Sequence, residues 1–211
     1  MADTTEHNAE DLFRNAVGFS FSAQLLSLHG NLRMKWRKPA FDDIGADCPT
    51  LQSGVVLSAF SLELYLKCLI ILTGGKYPRK HTLIELFELL PEIIRTDVVA
   101  EFDRLMIAAP SAIRPDNAPD GNRLPSDHYS FQNCLSVMNN AFRNWRYLHE
   151  STGVESIEYY GHGPFTLSLE RRIVAIRPGW AKWIGRASPL PSSIGEFDPH
   201  GKFIETKDDS F

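Results

Sequence analysis

Residues 51–75 read LQSGVVLSAFSLELYLKCLIILTGG, the most apolar stretch of the chain. The run is long enough for a helix of about six turns, and a Gly74-Gly75 pair is typical of a helix C-terminus. Glu63 and Lys67 lie four residues apart with the acid first, the favourable order for an ion pair. Each charge would cost roughly 2.5–3.5 kcal/mol at the centre of a bilayer. We therefore expect a buried helix of a soluble bundle rather than a membrane span.

Further helices are predicted on both sides of this stretch. Apolar residues recur every three or four positions from about Ala9 to Trp36, which indicates a long amphipathic helix. Downstream, Thr82 and Glu85 have the spacing of a capping box. Pro91 then separates this third helix from a shorter one over about residues 92–108. The core side of the third helix is expected to hold Leu83, Ile84, Leu86, Phe87, Leu89 and Leu90.

The second half of the chain begins with residues 109–127, which are rich in proline, glycine, aspartate and asparagine and predict a long loop. A fourth helix should start near Ser126 or Asp127 and run to about Glu150, and a fifth should span about Thr166 to Ile176. No stretch alternates between apolar and polar residues as a sheet requires. The predicted class is all-α, an antiparallel bundle of four to five helices. Residues 1–186 would form one domain and residues 187–211 a flexible C-terminal tail.

Composition excludes several classes of protein. The 211 residues contain 22 Lys and Arg against 26 Asp and Glu, so the net charge of −4 excludes nucleic-acid wrapping by bulk charge. Cys48, Cys68 and Cys134 fit neither a disulfide framework nor a zinc ribbon, which favours reduced thiols in the cytoplasm. The polar first ten residues predict no signal peptide. The seven histidines include no pair at helical spacing, so we expect neither a metal site nor a cofactor.

Residues 142–150, hereafter the motif segment, read FRNWRYLHE. They contain Arg143, the polar Asn144, four further residues and then His149. Together with residues 61–69 (SLELYLKCL) and 74–83 (GGKYPRKHTL), this pattern resembles the HEPN family, named for higher eukaryotes and prokaryotes nucleotide-binding. The resemblance extends over about residues 13–183.

The resemblance implies a metal-independent endoribonuclease that acts as a toxin or as an antiviral defence effector. In active HEPN members two protomers dimerise and bring their motifs into one RNA-cleaving site. Carried over, His149 would move protons, Arg143 would bind the phosphate and Asn144 would orient either one, leaving a 2′,3′-cyclic phosphate. The implied partners are RNA, a second copy of the chain and a nucleotidyltransferase-type antitoxin, with no membrane. Residues implied to bind substrate or support the site are Glu63, Lys67, Arg146 and Tyr147.

Helix geometry keeps other interpretations open. Positions six apart differ by some 120° around a regular helix, so Arg143 and His149 do not share a face. His149 instead continues the apolar stripe of Met138, Phe142 and Trp145, which is typical of a core histidine. The chain would then be a non-catalytic HEPN-like module that binds a nucleotide, an RNA or a protein, or a plain structural dimer.

Three other groups of residues also allow two readings. Glu63 and Lys67 either line the cleft of the motif or face solvent along a narrow stripe. His81 is interpreted as a residue at the start of the third helix rather than as a catalytic one. Trp180 and Trp183 are expected to pack the fifth helix rather than to stack on bases.

Overall fold

The computed structural model describes the backbone of residues 4–36, 49–108, 130–139, 161–186, 196–197 and 203–204. Side chains are described for residues 9–27, 53–107, 130–139 and 161–184. The described residues form seven α-helices: α1 Thr4–Trp36, α2 Pro49–Leu72, α3 Leu83–Glu88, α4 Glu92–Ala108, α5 Phe131–Asn139, α6 His162–Ile176 and α7 Ala181–Arg186. A 3₁₀ turn, Pro178–Trp180, joins α6 to α7. The chain is therefore an all-α bundle, as predicted.

Helices α1 and α2 form the most extensive pairing of the bundle. They run antiparallel, since Gly54 lies against Ala23 and Ser27, while the Cys68 thiol donates to the Ala9 carbonyl 3.3 Å away. A side chain at Gly54 would have its Cβ 3.1 Å from Ser27 Oγ and 3.3 Å from the Ala23 carbonyl. Glycine at this position lets the two backbones approach closely.

Helix α2 is the centre of the molecule and packs against α1, α3 and α6. Residues 61–71 are all buried. Ser53–Leu72 is long and apolar enough to cross a membrane by length and composition, but 72 % of that window is buried inside the protein. Protein side chains therefore cover most of this helix, as the core helix of a bundle requires.

Aromatic side chains join the shorter helices to this centre. The rings of Phe87, Phe102 and Phe165 surround Phe131 at centroid distances of 4.8, 5.2 and 5.1 Å, which links α3, α4, α5 and α6. On the α1 side, Trp180 is buried and stacks on Phe13 at 5.6 Å. The expectation that Trp180 packs the C-terminal helices against the bundle is confirmed.

Two helix boundaries differ from the prediction. The helix predicted as the fourth is α5 in the structure, and it begins at Phe131 rather than near residues 126–127. The Ser130 hydroxyl accepts the Asn133 backbone N–H at 3.3 Å, as an N-cap does. The fifth helix, α6, begins at His162 rather than at Thr166. Its third residue is Pro164, which the first turn tolerates because no N–H is needed there.

The third helix also departs from its prediction in two details. Leu89 is 54 % exposed, so it does not belong to the core side, since it follows the last turn as the C-cap residue. Thr82 is the N-cap residue, but its hydroxyl donates to the Glu85 carboxylate instead of accepting a backbone N–H. The start of the helix was predicted correctly, whereas the reciprocal hydrogen bonds of a capping box are absent.

Several predictions lie outside the described residues. These are the loop over residues 109–127 and the end of the fourth helix near Glu150.

Two short strands are described within residues 187–211. The two-residue strands β1 (Glu196–Phe197) and β2 (Phe203–Ile204) pair antiparallel, with Glu196 opposite Ile204 and Phe197 opposite Phe203. The division into one domain and a C-terminal tail stays a prediction.

Candidate functional site

Glu63 and Lys67 form a buried ion pair on α2. The Lys67 ammonium donates to Glu63 Oε1 at 2.8 Å, and the two residues are only 2 % and 6 % exposed. The i, i+4 spacing therefore predicted the pair correctly, while the alternative of a solvent-facing stripe is wrong. Taking two charges out of water is costly unless both are satisfied, so their remaining partners are of interest.

His81 supplies the first of these partners from the turn after α2. Its Nδ1 lies 3.0 Å from Glu63 Oε1, the same oxygen that accepts from Lys67. The imidazole is 75 % exposed while the carboxylate is 8 % exposed. His81 thus connects a buried carboxylate to the surface, a role that its interpretation as a helix-start residue did not include.

Tyr77 supplies the second partner. Its ring lies over the Lys67 ammonium, with 5.0 Å between the nitrogen and the ring centroid, a cation–π distance. Tyr77 is nevertheless 55 % exposed. We call Glu63, Lys67, His81 and Tyr77 the Glu63 cluster. It contains a buried ion pair with an imidazole and a phenol ring above it at the surface.

The end of α2 holds the turn that carries His81 and Tyr77. The Gly74 N–H donates to the Ile71 carbonyl at 3.0 Å and the Gly75 N–H to the Ile70 carbonyl at 2.8 Å, which is a Schellman motif. Gly74 has φ +87°, a value that favours glycine, and a Cβ at Gly75 would lie 2.6 Å from Ile70 Cγ2. The C-cap predicted from the glycine pair is therefore confirmed.

Asn139, the last residue of α5, is bonded to the start of α3. Its Oδ1 accepts the backbone N–H of Ile84 at 2.9 Å, one of the N–H groups that the first turn of a helix leaves unpaired. Ile84 follows His81 by three residues, so this bond links α5 to the backbone beside the Glu63 cluster. Sequence reasoning missed it, because no local pattern marks a cap supplied from 55 residues away.

The other predicted site residues lie outside the described residues: Arg143, Asn144, Arg146, Tyr147 and His149. Arg143 follows Asn139 by four residues, a length of chain that spans at most about 14 Å. Among the described residues, no three His, Cys, Asp or Glu side chains are grouped to hold a metal ion.

The remaining titratable groups of the described core belong to packing. Tyr65 on α2 donates a hydrogen bond to Glu170 on α6, and both are buried. Burial raises the pKa of the Cys68 thiol to about 12 and that of the Cys134 thiol to about 11. Thiols held so firmly protonated are poor nucleophiles, so neither cysteine is a candidate for chemistry.

A comparison with family models matches residues 51–152 to the HEPN domain. This segment is just under half of the 211 residues and runs from α2 through α5 to the end of the motif segment. Residues 51–152 are therefore similar to the HEPN domain, which supports the resemblance drawn from the sequence. No curated protein and no solved structure matched the chain in the corresponding comparisons.

Proposed function

We propose that this protein is a metal-independent endoribonuclease of the HEPN type, which cleaves RNA through attack of the 2′-hydroxyl. The observation that carries the proposal is the hydrogen bond between Asn139 Oδ1 and the Ile84 N–H. It ties Asn139, three residues before the motif segment in sequence, to the helix that starts beside His81. This contact supports a site that combines the motif segment with the Glu63 cluster, which contains a carboxylate, an ammonium and an imidazole.

RNA supplies its own nucleophile, so the protein has to move protons and stabilise charge. The 2′-oxygen attacks the adjacent phosphorus and loses its proton, the bond from phosphorus to the 5′-oxygen breaks, and that oxygen takes up a proton. The products are a 2′,3′-cyclic phosphate and a 5′-hydroxyl. His149 has the side chain suited to transfer protons near neutral pH. Arg143 has the bidentate donor suited to the charge that develops on the phosphate oxygens.

Two motifs are needed because one regular helix holds Arg143 and His149 on different faces. We propose that a homodimer supplies them, with the second His149 acting as the acid while the first acts as the base. Asn144, Arg146 and Tyr147 would orient substrate beside these two residues. Glu63 and Lys67 would support the wall of the cleft, a role consistent with their burial and fixed geometry.

The wider biological role forms a further part of the proposal. Cys68 and Cys134 are free thiols, which supports a reducing compartment such as the cytoplasm. An RNase of this kind would be a toxin or a defence effector, and a nucleotidyltransferase-type antitoxin would hold it inactive. Co-expression with such a partner should then restore growth to cells that express this protein.

The experiment that tests the function is incubation of the purified protein with a fluorescent single-stranded RNA in the presence of EDTA. We expect cleavage products that carry a 2′,3′-cyclic phosphate, identified by mass spectrometry, and about twice the chain mass by light scattering. A parallel RNA with 2′-O-methyl groups throughout should stay intact because it has no nucleophile. Tight binding without cleavage would favour the non-catalytic module, and cleavage that EDTA abolishes would refute the metal-independent mechanism.

A further inference from the structure

Residues 76–81, the basic turn, read KYPRKH and hold three exposed basic side chains close together in sequence. Lys76, Arg79 and Lys80 are exposed, in a chain whose net charge is −4. Lys80 is already paired with Glu85 at 2.6 Å. For Lys76 and Arg79, the described part of the chain provides no acidic partner. Among the described residues, the basic turn therefore presents two cations that no acidic side chain neutralises.

The basic turn is held in place at both ends. On one side it follows the Schellman motif of Gly74 and Gly75. On the other side His81 is bonded to Glu63, and the Pro78 between them is buried. Cations on such a backbone lose less conformational entropy when they bind an anion than cations on a free loop.

Tyr77 adds an exposed aromatic ring, placed between the two cations in sequence. One face of its ring lies over the buried Lys67 ammonium at 5.0 Å, yet the residue is 55 % exposed. More than half of the Tyr77 surface is therefore open to solvent, although the ammonium lies against one face of the ring. An exposed ring between cations is the combination by which proteins bind single-stranded nucleic acid, because bases stack while phosphates pair with the charges.

We propose that the basic turn binds the backbone of single-stranded RNA, with phosphates on Lys76 and Arg79 and an unpaired base stacked on Tyr77. The inference rests on the proposed function, since the turn lies three residues before Ile84, where Asn139 anchors the approach to the motif segment. The strand held here would be the part that flanks the cleaved phosphate. Double-stranded RNA is not a substrate for this surface, because paired bases offer no free face.

Binding is tested with a fluorescent 2′-O-methyl oligonucleotide, which resists cleavage and so reports affinity alone. In anisotropy titrations the full-length variant Lys76→Gln/Arg79→Gln should bind at least about tenfold more weakly. The negative slope of its log binding constant against log salt concentration should become shallower by about 1.4, since each phosphate contact on a single strand contributes about 0.7. Tyr77→Leu should weaken binding about fivefold or more with an unchanged slope, because stacking involves no counterion release.

The matched control is Arg104→Gln/Arg171→Gln, which removes the same charge from two exposed residues that Glu101 already neutralises. This control should keep the affinity of the unaltered protein. An equal loss of affinity in both double variants would overturn the inference. Unchanged RNA affinity in the basic-turn variant would overturn it too. If that variant also lost binding to an acidic protein, the surface would be assigned to that partner instead. A basic-turn variant that still cleaves RNA and still binds it with full affinity would refute the role of the basic turn but not the proposed function. Turn-dependent binding without any cleavage would refute the proposed function alone.

Discussion

The Tyr65 hydroxyl on α2 donates a hydrogen bond to Glu170 Oε1 on α6, across 105 residues of sequence, and both side chains are buried. Burial and the neighbouring Glu170 carboxyl both raise the pKa of Tyr65, which favours the protonated phenol as the donor of this bond. This bond joins the central helix to the helix that closes the other side of the core. It is a structural contact with consequences for stability.

Tyr65→Phe should lower the free energy of unfolding by about 1–3 kcal/mol, because it leaves a buried carboxyl oxygen without its donor. Urea denaturation at neutral pH measures the change. The matched control is Tyr77→Phe, which removes the hydroxyl of a tyrosine that is 55 % exposed and should change stability by less than about 0.5 kcal/mol. Equal effects of the two substitutions would contradict the importance of the Glu170 bond.

Glu170 makes stability depend on pH. Desolvation raises the pKa of its carboxyl above the usual 4.5, against the smaller opposite effect of the Tyr65 bond. The folded state therefore keeps a proton that the unfolded chain loses as pH rises above about 4.5. The contribution of this group to stability is complete below that pH and is lost as pH rises towards the folded pKa.

Glu170→Gln removes this dependence while it keeps an oxygen that accepts from Tyr65. Relative to the unaltered protein, the variant should gain stability over the range from about pH 4.5 upwards in which the folded protein retains the Glu170 proton, at a rate of at most about 1.4 kcal/mol per pH unit. Thermal denaturation of both proteins across that range measures the difference. A stability difference that stays constant with pH would show that Glu170 ionises as easily in the folded protein as in the unfolded chain.

The buried Glu63–Lys67 pair predicts a non-additive pair of substitutions. Lys67→Met leaves the Glu63 carboxylate buried with His81 as its described partner, so the free energy of unfolding should fall by about 3–5 kcal/mol. Adding Glu63→Gln removes the unpaired charge and should restore most of the lost free energy of unfolding. Urea denaturation of the two single variants and the double variant measures the coupling.

The control for this cycle is Lys80→Gln, which breaks an ion pair whose side chains are 58 % and 43 % exposed. Exposed pairs contribute about 0–1 kcal/mol, so this variant should be nearly as stable as the unaltered protein. If the double Glu63 and Lys67 variant were no more stable than Lys67→Met alone, the buried charge would not be the cause of the loss.

Local signals predicted the parts of the fold that they mark directly. Helix α2 ends at the Gly74-Gly75 pair, and α4 occupies residues 92–108 after Pro91. The Glu63–Lys67 ion pair followed from its spacing on one helix. Each of these features is determined by residues that lie within a few positions of it in the sequence.

Contacts between distant segments were not predictable in the same way. Asn139 caps Ile84, His81 reaches Glu63 and Tyr65 meets Glu170, yet none of these pairs leaves a periodic pattern in the sequence. Each depends on which helices become neighbours, and that is decided by the packing of the whole core. Trp180 was expected to pack, and it does, but the sequence did not identify Phe13 as the ring on which it stacks.

Asn139→Ala should weaken the start of α3, because the Ile84 N–H loses the oxygen that it donates to. We expect a loss of stability of about 1 kcal/mol, the usual value of a helix cap, and faster hydrogen exchange at the Ile84 amide by NMR. Asn139→Asp retains an acceptor oxygen and should preserve the protection of that amide. Slow exchange at Ile84 in Asn139→Ala would mean that another group satisfies this N–H.

The proposed catalytic roles predict different defects for Arg143 and His149. His149→Ala should abolish cleavage of a single-stranded RNA while its affinity for the uncleavable 2′-O-methyl analogue stays nearly unchanged, since the imidazole moves protons. Arg143→Ala should lose both affinity and rate, since its guanidinium contacts the phosphate before and during the reaction. Loss of such a contact should cost roughly 3 kcal/mol, or about 100-fold in rate.

Thermal stability measured on the same samples separates this role from a core histidine. His200→Ala, a substitution in the predicted tail, is the matched control and should leave cleavage, affinity and melting temperature unchanged. A His149→Ala protein that still cleaves RNA but melts at a lower temperature would refute the catalytic assignment and place His149 on the apolar stripe with Met138. Chemistry would then have to come from the Glu63 cluster, where His81 is the exposed imidazole, and His81→Ala in the same assay would decide it.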